Sequence, residues 1–99
     1  VSNQTNLANV RRIMNRYKVL GSASDLINGD REREHGQPRH NFKRIAKMWS
    51  GYLEQEISAS DVCVMMVLLK AARLRHKLSD DSFIDMAGYA ALGSEVGDD

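Results

Sequence analysis

The sequence predicts an all-α fold, a small bundle of about five helices around one apolar central helix at about residues 59–78. Three observations lead there. Apolar residues recur every three or four positions along most of the chain, the spacing that lines one face of a helix. No segment alternates strictly between apolar and polar residues, as a half-buried strand would. Pro38 is the sole proline, so punctuation that would break helices is scarce.

Taken in order, Leu7, Val10, Ile13, Met14 and Tyr17 form the stripe of a first helix, with Gly21 placed to stop it. Ser22 and Asp25 have capping-box spacing and would open a short second helix carrying Leu26 and Ile27. Asn28-Gly29 weakens that helix, and Gly36 would end it. Pro38 suits the first turn of a third helix, where its missing donor costs nothing. Phe42, Ile45, Trp49 and Tyr52 give that helix its inner face, with Trp49 largely buried, and Lys43, Arg44 and Lys47 fall opposite. Ser58 and Asp61 form a capping box for the fourth helix, which is apolar nearly all round except at Lys70 and therefore predicted to be the central one. Ser79, Asp80 and Asp81 would start a fifth, with carboxylates where the helix dipole favours them. Its inner face would be Phe83, Ile84, Ala87, Ala90 and Ala91, and Gly88 would let it approach the fourth helix closely. From Gly93 the tail is small and acidic. We therefore expect one domain over residues 1–99, with 1–4 and 94–99 frayed.

Apolar residues make up 42% and charged ones 27%, enough of a core-forming fraction to argue against disorder. Fourteen basic residues against thirteen acidic ones leave a net charge of +1, which gives no general attraction to nucleic acid or to an anionic membrane. The longest apolar run, residues 62–69, falls far short of the ~20 needed to span a bilayer. The start of the chain lacks the pattern of a signal peptide. The single Cys63 lies inside the apolar run and reads as a buried small hydrophobe in a reducing compartment, so cytoplasm is the expected location. Met48, Met65 and Met66 read as fillers of a core or an interface. The apolar girth of the fourth helix points to a homodimer or higher oligomer, with the third and fourth helices at the interface.

Two groups of residues could carry chemistry. Lys70 and Arg73 share a face of the fourth helix, as Asp81 and Asp85 do on the fifth. With the turn placed near Ser79 and Asp80, Arg73 and Asp85 should stand level in an antiparallel hairpin. Charges inside apolar helices must be paired or serve a ligand. Either Arg73 and Asp85 form a structural ion pair, or the set is a polar pocket in which Asp81 or Asp85 holds a metal and Lys70 or Arg73 meets phosphate. The second group, Asp30, Arg31, Glu34, His35, His40 and Asn41, surrounds the turn at residues 36–38. Its spacing matches no standard zinc arrangement, and solvated loop and helix-end residues are the competing reading. The basic stripes Arg11, Arg12, Arg16, Lys18 and Arg39, Lys43, Arg44, Lys47 read as solvated helix faces rather than nucleic-acid surfaces.

Several blocks taken together carry a resemblance: Gly29-Asp30-Arg31, His35-Gly36 with Pro38, Asn41-Phe42, Ile45-Ala46, Trp49-Ser50 and Tyr52-Leu53. They continue with Asp61-Val62, Met65-Met66, Leu68-Leu69-Lys70 and Arg73, then Asp81, Asp85 and Ala87-Gly88-Tyr89-Ala90. Over about residues 26–93 this pattern resembles a family of small, functionally unassigned proteins of bacteriophages and prophages. It implies a phage origin and hence the cytoplasm of the host bacterium. More distantly, the last two helices look like the all-α MazG-type nucleoside triphosphate pyrophosphatases, in which carboxylates on adjacent helices hold magnesium. Those enzymes pair Glu-x-x-Glu with Glu-x-x-Asp, whereas here the partner helix offers Lys70 and Arg73, and Ser82 stands among the acidic positions.

The leading expectation is a phage-encoded helical protein that binds a nucleotide or another phosphorylated ligand through Arg31, Lys70, Arg73, Asn41 and His35. Asp81 and Asp85 would be its metal ligands and Mg2+ its cofactor; if catalytic, it would be a nucleoside triphosphate pyrophosphohydrolase. The alternatives are a non-catalytic oligomeric interaction or structural protein, and a small regulator that binds nucleic acid or a host protein.

Overall fold

The computed structural model describes residues 15–29 and 37–96. Among them lie four α-helices and no strand: α1 (Arg16–Asn28), α2 (Pro38–Leu53), α3 (Ala59–His76) and α4 (Asp80–Val96). The expected class is therefore observed, and the described residues form four helices against the expected count of about five. α1 runs straight through Gly21, which was expected to separate the first helix from the second. Its start is set by Asn15, whose side chain accepts from the Lys18 backbone N–H at 2.9 Å, so Ser22 and Asp25 lie inside the helix rather than at a cap. A glycine there costs roughly 1 kcal/mol against alanine. That is less than α1 gains by laying Ala23, Leu26 and Ile27 toward α4. The stripe residues Leu7, Val10, Ile13 and Met14 lie outside the described residues.

Local signals place the next two helices as expected. Pro38 occupies the first turn of α2, and α3 opens on the Ser58–Asp61 capping box, with reciprocal bonds of 2.9 and 3.0 Å. Between them, Glu54 takes a left-handed conformation (φ 53°) and its N–H donates to the Ser50 carbonyl. The Ser50 hydroxyl then accepts from the Ile57 N–H at 2.9 Å and donates to the Ile57 carbonyl at 3.2 Å. One side chain thus fastens the connection back onto α2, satisfying backbone groups that would otherwise be orphaned at a helix end.

α3 ends at His76, with Arg73, Arg75 and His76 in its last turn, where positive charge is favoured. A three-residue turn leads to α4, and the Ser79 hydroxyl accepts from the Ser82 N–H at 3.3 Å. α4 packs against all three other helices, so it is the hub of the bundle, in place of the helix expected at about 59–78. It also continues three residues past Gly93, where fraying was expected, and Val96 is 1% exposed. Residues 97–99 lie outside the description.

The core is formed by Phe42 and Ala46 of α2, Ala59, Val62 and Cys63 of α3, and Val96 of α4, with Trp49, Met66 and Tyr89 packed partly buried around it. Two glycines permit close packing. A Cβ at Gly93 would lie 2.9 Å from the Cys63 Cβ, so α4 approaches α3 closely here. Gly88, expected in that role, instead faces α1, where a Cβ would meet the Ile27 Cγ2 at 3.2 Å. Cys63 is buried as expected, and loss of water pushes its thiol from 9.0 up to about 11.

Several expected inner positions face solvent instead. Tyr52 is 88% exposed, Tyr17 and Met48 are also exposed, and Phe83, Ala90 and Ala91 lie outward on α4.

Candidate functional site

The charged residues of the α3–α4 hairpin come together, with one exchange of partner. The Asp85 carboxylate meets the Lys70 ammonium at 2.9 Å, both side chains being partly buried. The expected Arg73–Asp85 pair does not form, and Arg73 is exposed. The reason is the position of the turn, which is centred on Leu78 rather than on Ser79 and Asp80. Lys70 lies eight residues before Leu78 and Asp85 seven after it, so these two stand level, whereas Arg73 is only five before. Lys70 also lies on the side of α3 that carries Ala59 and Met66, turned toward the bundle, where an unpaired charge would be costly.

Asp85 also borders an open hollow between α1 and α4, lined otherwise by Leu26, Ile27, Gly88, Tyr89 and Leu92. The hollow is shallow and open to solvent, with enclosed room for about one water molecule, far below the ~300–1,000 Å³ of usual small-molecule pockets. The Tyr89 ring meets the Phe42 ring edge-on, with centroids 6.3 Å apart, which ties the hollow to the core.

The other expected site residues are more scattered. Asp81 is exposed one turn before Asp85, and Asn41 is partly buried early in α2 and does not line the hollow. Among the described residues, no three His, Cys, Asp or Glu side chains are grouped so as to hold a metal ion. Arg31 and His35 lie outside the described residues. Lys43, Arg44 and Lys47 are exposed on α2, as expected of a solvated face. Among the described residues no helix is long and apolar enough to cross a membrane.

A different feature stands out on the opposite side of α3. Asp61, Val64, Leu68, Ala72 and Arg75 are all exposed, with Val64 at 54% and Leu68 at 61%. At helical spacing these five share one face, apolar in its middle, negative at its start and positive at its end. The sequence shows α3 to be apolar on nearly every side, but it does not show which side the other helices cover. Ser50 and Gly93 were also missed as structural residues. A serine inside an amphipathic helix and a glycine before an acidic tail are both common where they do nothing.

Residues 18–97 match a domain of unknown function, DUF6378. The chain is 51% identical over 82 residues to the gene 55 protein of Mycobacterium phage D29, an overlap of 79% of this chain and 52% of that protein. It is 40% identical over 76 residues to the gene 55 protein of Mycobacterium phage L5, covering 75% and 49% respectively. The chain therefore spans about half the length of the relatives it matches. No solved structure matches it. The match carries the resemblance to phage proteins of unassigned function, while the likeness to MazG-type enzymes rests only on the residues quoted for it. With four-fifths of its length covered, the chain belongs to the DUF6378 family.

Proposed function

We propose that this domain is a non-catalytic, self-associating interaction module of a phage protein. The observation that supports this reading is the exposed apolar face of α3, where Val64 and Leu68 lie bare although the helix is apolar enough to be fully buried. The charged residues fit a structural role, since Asp85 is engaged by Lys70 and the hollow beside them is small and mostly apolar. Equilibrium sedimentation of the 99-residue chain over a range of concentrations tests the reading. Mass should rise with concentration toward a multiple of the chain mass, and a constant single-chain mass throughout would refute it.

A second reading keeps the phosphorylated ligand, and with it the Mg2+-dependent hydrolase. It is favoured by Asp85 at the rim of the hollow, with Lys70 paired to it and Arg73 about a turn further along α3. Melting in the presence of nucleotides, with and without magnesium, tests this reading separately, because a ligand that binds only the folded chain must raise the melting temperature. No shift with any nucleotide would remove it.

A further inference from the structure

We infer that the exposed face of α3 is the seat of a second copy of this chain, packed antiparallel about a two-fold axis that passes beside Leu68. The inference rests on the self-association just proposed and specifies its geometry. Two features of the face select a second copy of α3 over an unrelated partner, and antiparallel over parallel packing.

The first is charge. The exposed line runs Asp61, Val64, Leu68, Ala72, Arg75, with no charged residue between its two ends on that face. Parallel pairing would set Asp61 against Asp61 and Arg75 against Arg75. Antiparallel pairing sets each Asp61 against the Arg75 of the other copy, at both ends at once. Such rim pairs fix register and orientation more than they add affinity. Asp61 can serve here without losing its present role. One carboxylate oxygen accepts from the Ser58 N–H in the capping box, which leaves the other able to accept from a guanidinium.

The second feature is symmetry. A two-fold interface is self-complementary, so position i meets position j and j meets i. Asp61 and Arg75 are each seven residues from Leu68, and Val64 and Ala72 are each four away. The larger Val64 would therefore face the smaller Ala72 on both sides of the axis, with Leu68 against Leu68 in the middle. Spacings of three and four residues along this line give the narrow seam on which two helices pack at a small crossing angle. Met65, partly buried, flanks the seam and would be covered further by the second copy.

Single cysteines test this register in the full 99-residue chain. In the wild type the one cysteine, Cys63, is buried, so it serves as the control that does not cross-link. Leu68→Cys should form a disulfide-linked dimer under mild oxidation, because position 68 meets its own copy. Val64→Cys alone should not. With a rise of ~1.5 Å per residue, the two copies of position 64 would be offset by ~12 Å, beyond the ~7 Å limit for a disulfide. Ala72→Cys alone should fail for the same reason, whereas mixing Val64→Cys with Ala72→Cys should give the mixed dimer. In the reduced, uncross-linked state, Leu68→Glu should weaken dimerisation by on the order of tenfold or more. Its monomer should melt like the wild-type monomer, since Leu68 is exposed there. If the wild type self-associates but Leu68→Glu does so equally well, or if Val64→Cys and Leu68→Cys cross-link alike, the antiparallel α3 pairing is wrong while self-association stands. A wild type that stays monomeric overturns both.

Discussion

Helix α3 is apolar on both faces, and the two faces have opposite surroundings. On one, Val62 and Cys63 are sealed beneath α2 and α4, with Phe42, Ala46 and Val96 around them. On the other, Val64 and Leu68 meet solvent. Side-chain chemistry does not separate the two, since two valines two residues apart fall on opposite sides of the division. The difference comes from how many neighbours a four-helix arrangement supplies: α3 has α4 along one flank and α2 along another, and nothing described covers the third. A helix coated with apolar residues thus serves as both core and candidate interface, and only the inner face contributes to the stability of a single chain.

The sharpest way to break this comparison is to truncate one apolar residue in each setting. Phe42, which packs into the inner cluster and against Tyr89, should cost about 3–5 kcal/mol on Phe42→Ala. Leu68→Ala should change the stability of the dilute monomer by less than about 0.5 kcal/mol. Denaturant titrations at a concentration where the wild type is a single chain give both values, and similar losses would show that the outer face is covered within one chain.

The charged residues of α3 differ in partner instead. Lys70→Met strands Asp85 in a partly buried position and should cost about 1–3 kcal/mol, between the ranges for buried and exposed pairs. Arg73→Ala, at an exposed position nearer the end of the helix, should fall within about 0.5 kcal/mol of wild type. A double-mutant cycle with Asp85→Leu isolates the pair itself, and coupling of Asp85 to Arg73 instead would contradict the observed pairing.

A smaller effect distinguishes two glycines. At Gly93 an added methyl group meets Cys63 at 2.9 Å, so Gly93→Ala should lose about 1 kcal/mol net, overpacking outweighing the gain in helix propensity. At Gly21 nothing lies within 4 Å of the added atom, and Gly21→Ala should stabilise the chain by about 0.5–1 kcal/mol. Melting temperatures of the two variants should move in opposite directions.

The least perturbing test is pH. Burial raises the Cys63 thiol from 9.0 to about 11. Below pH 9 the thiol is protonated in both folded and unfolded chains and contributes no pH dependence. Between about 9 and 11 the unfolded chain gives up its proton while the folded one keeps it, so stability falls as pH rises. Cys63→Ala should remove that component of the alkaline loss, and an unchanged alkaline profile in the variant would mean that the thiol reaches solvent.

Much of the fold was legible because its signals are local. The Ser58–Asp61 capping box, Pro38 in a first turn and the helical spacing around Phe42 depend on residues within one or two turns of each other, so their hydrogen bonds and apolar faces are written in consecutive positions. The candidate site was legible only in part. Lys70 and Asp85 were both named, but their pairing depends on where the turn falls, and moving it by one to two residues exchanges Arg73 for Lys70. Tyr52, on the same stripe as Phe42, is left exposed in the last turn of α2, and periodicity carries no record of how far a neighbour extends.

The sequence by itself determined that the chain is helical, where α2 and α3 begin, and that Cys63 lies in an apolar setting. Tertiary structure alone decided that α1 continues through Gly21, that α4 rather than α3 is the hub, and that Val96 belongs to the core. Only it, too, left the Leu68 face of α3 bare. The physical reason is common to all four. Helix propensity, capping and dipole terms are each worth about 1 kcal/mol and act within a turn or two. Burial acts between residues far apart in the chain, and it is large enough to carry a helix past a glycine or to hold a tail that local terms would let fray.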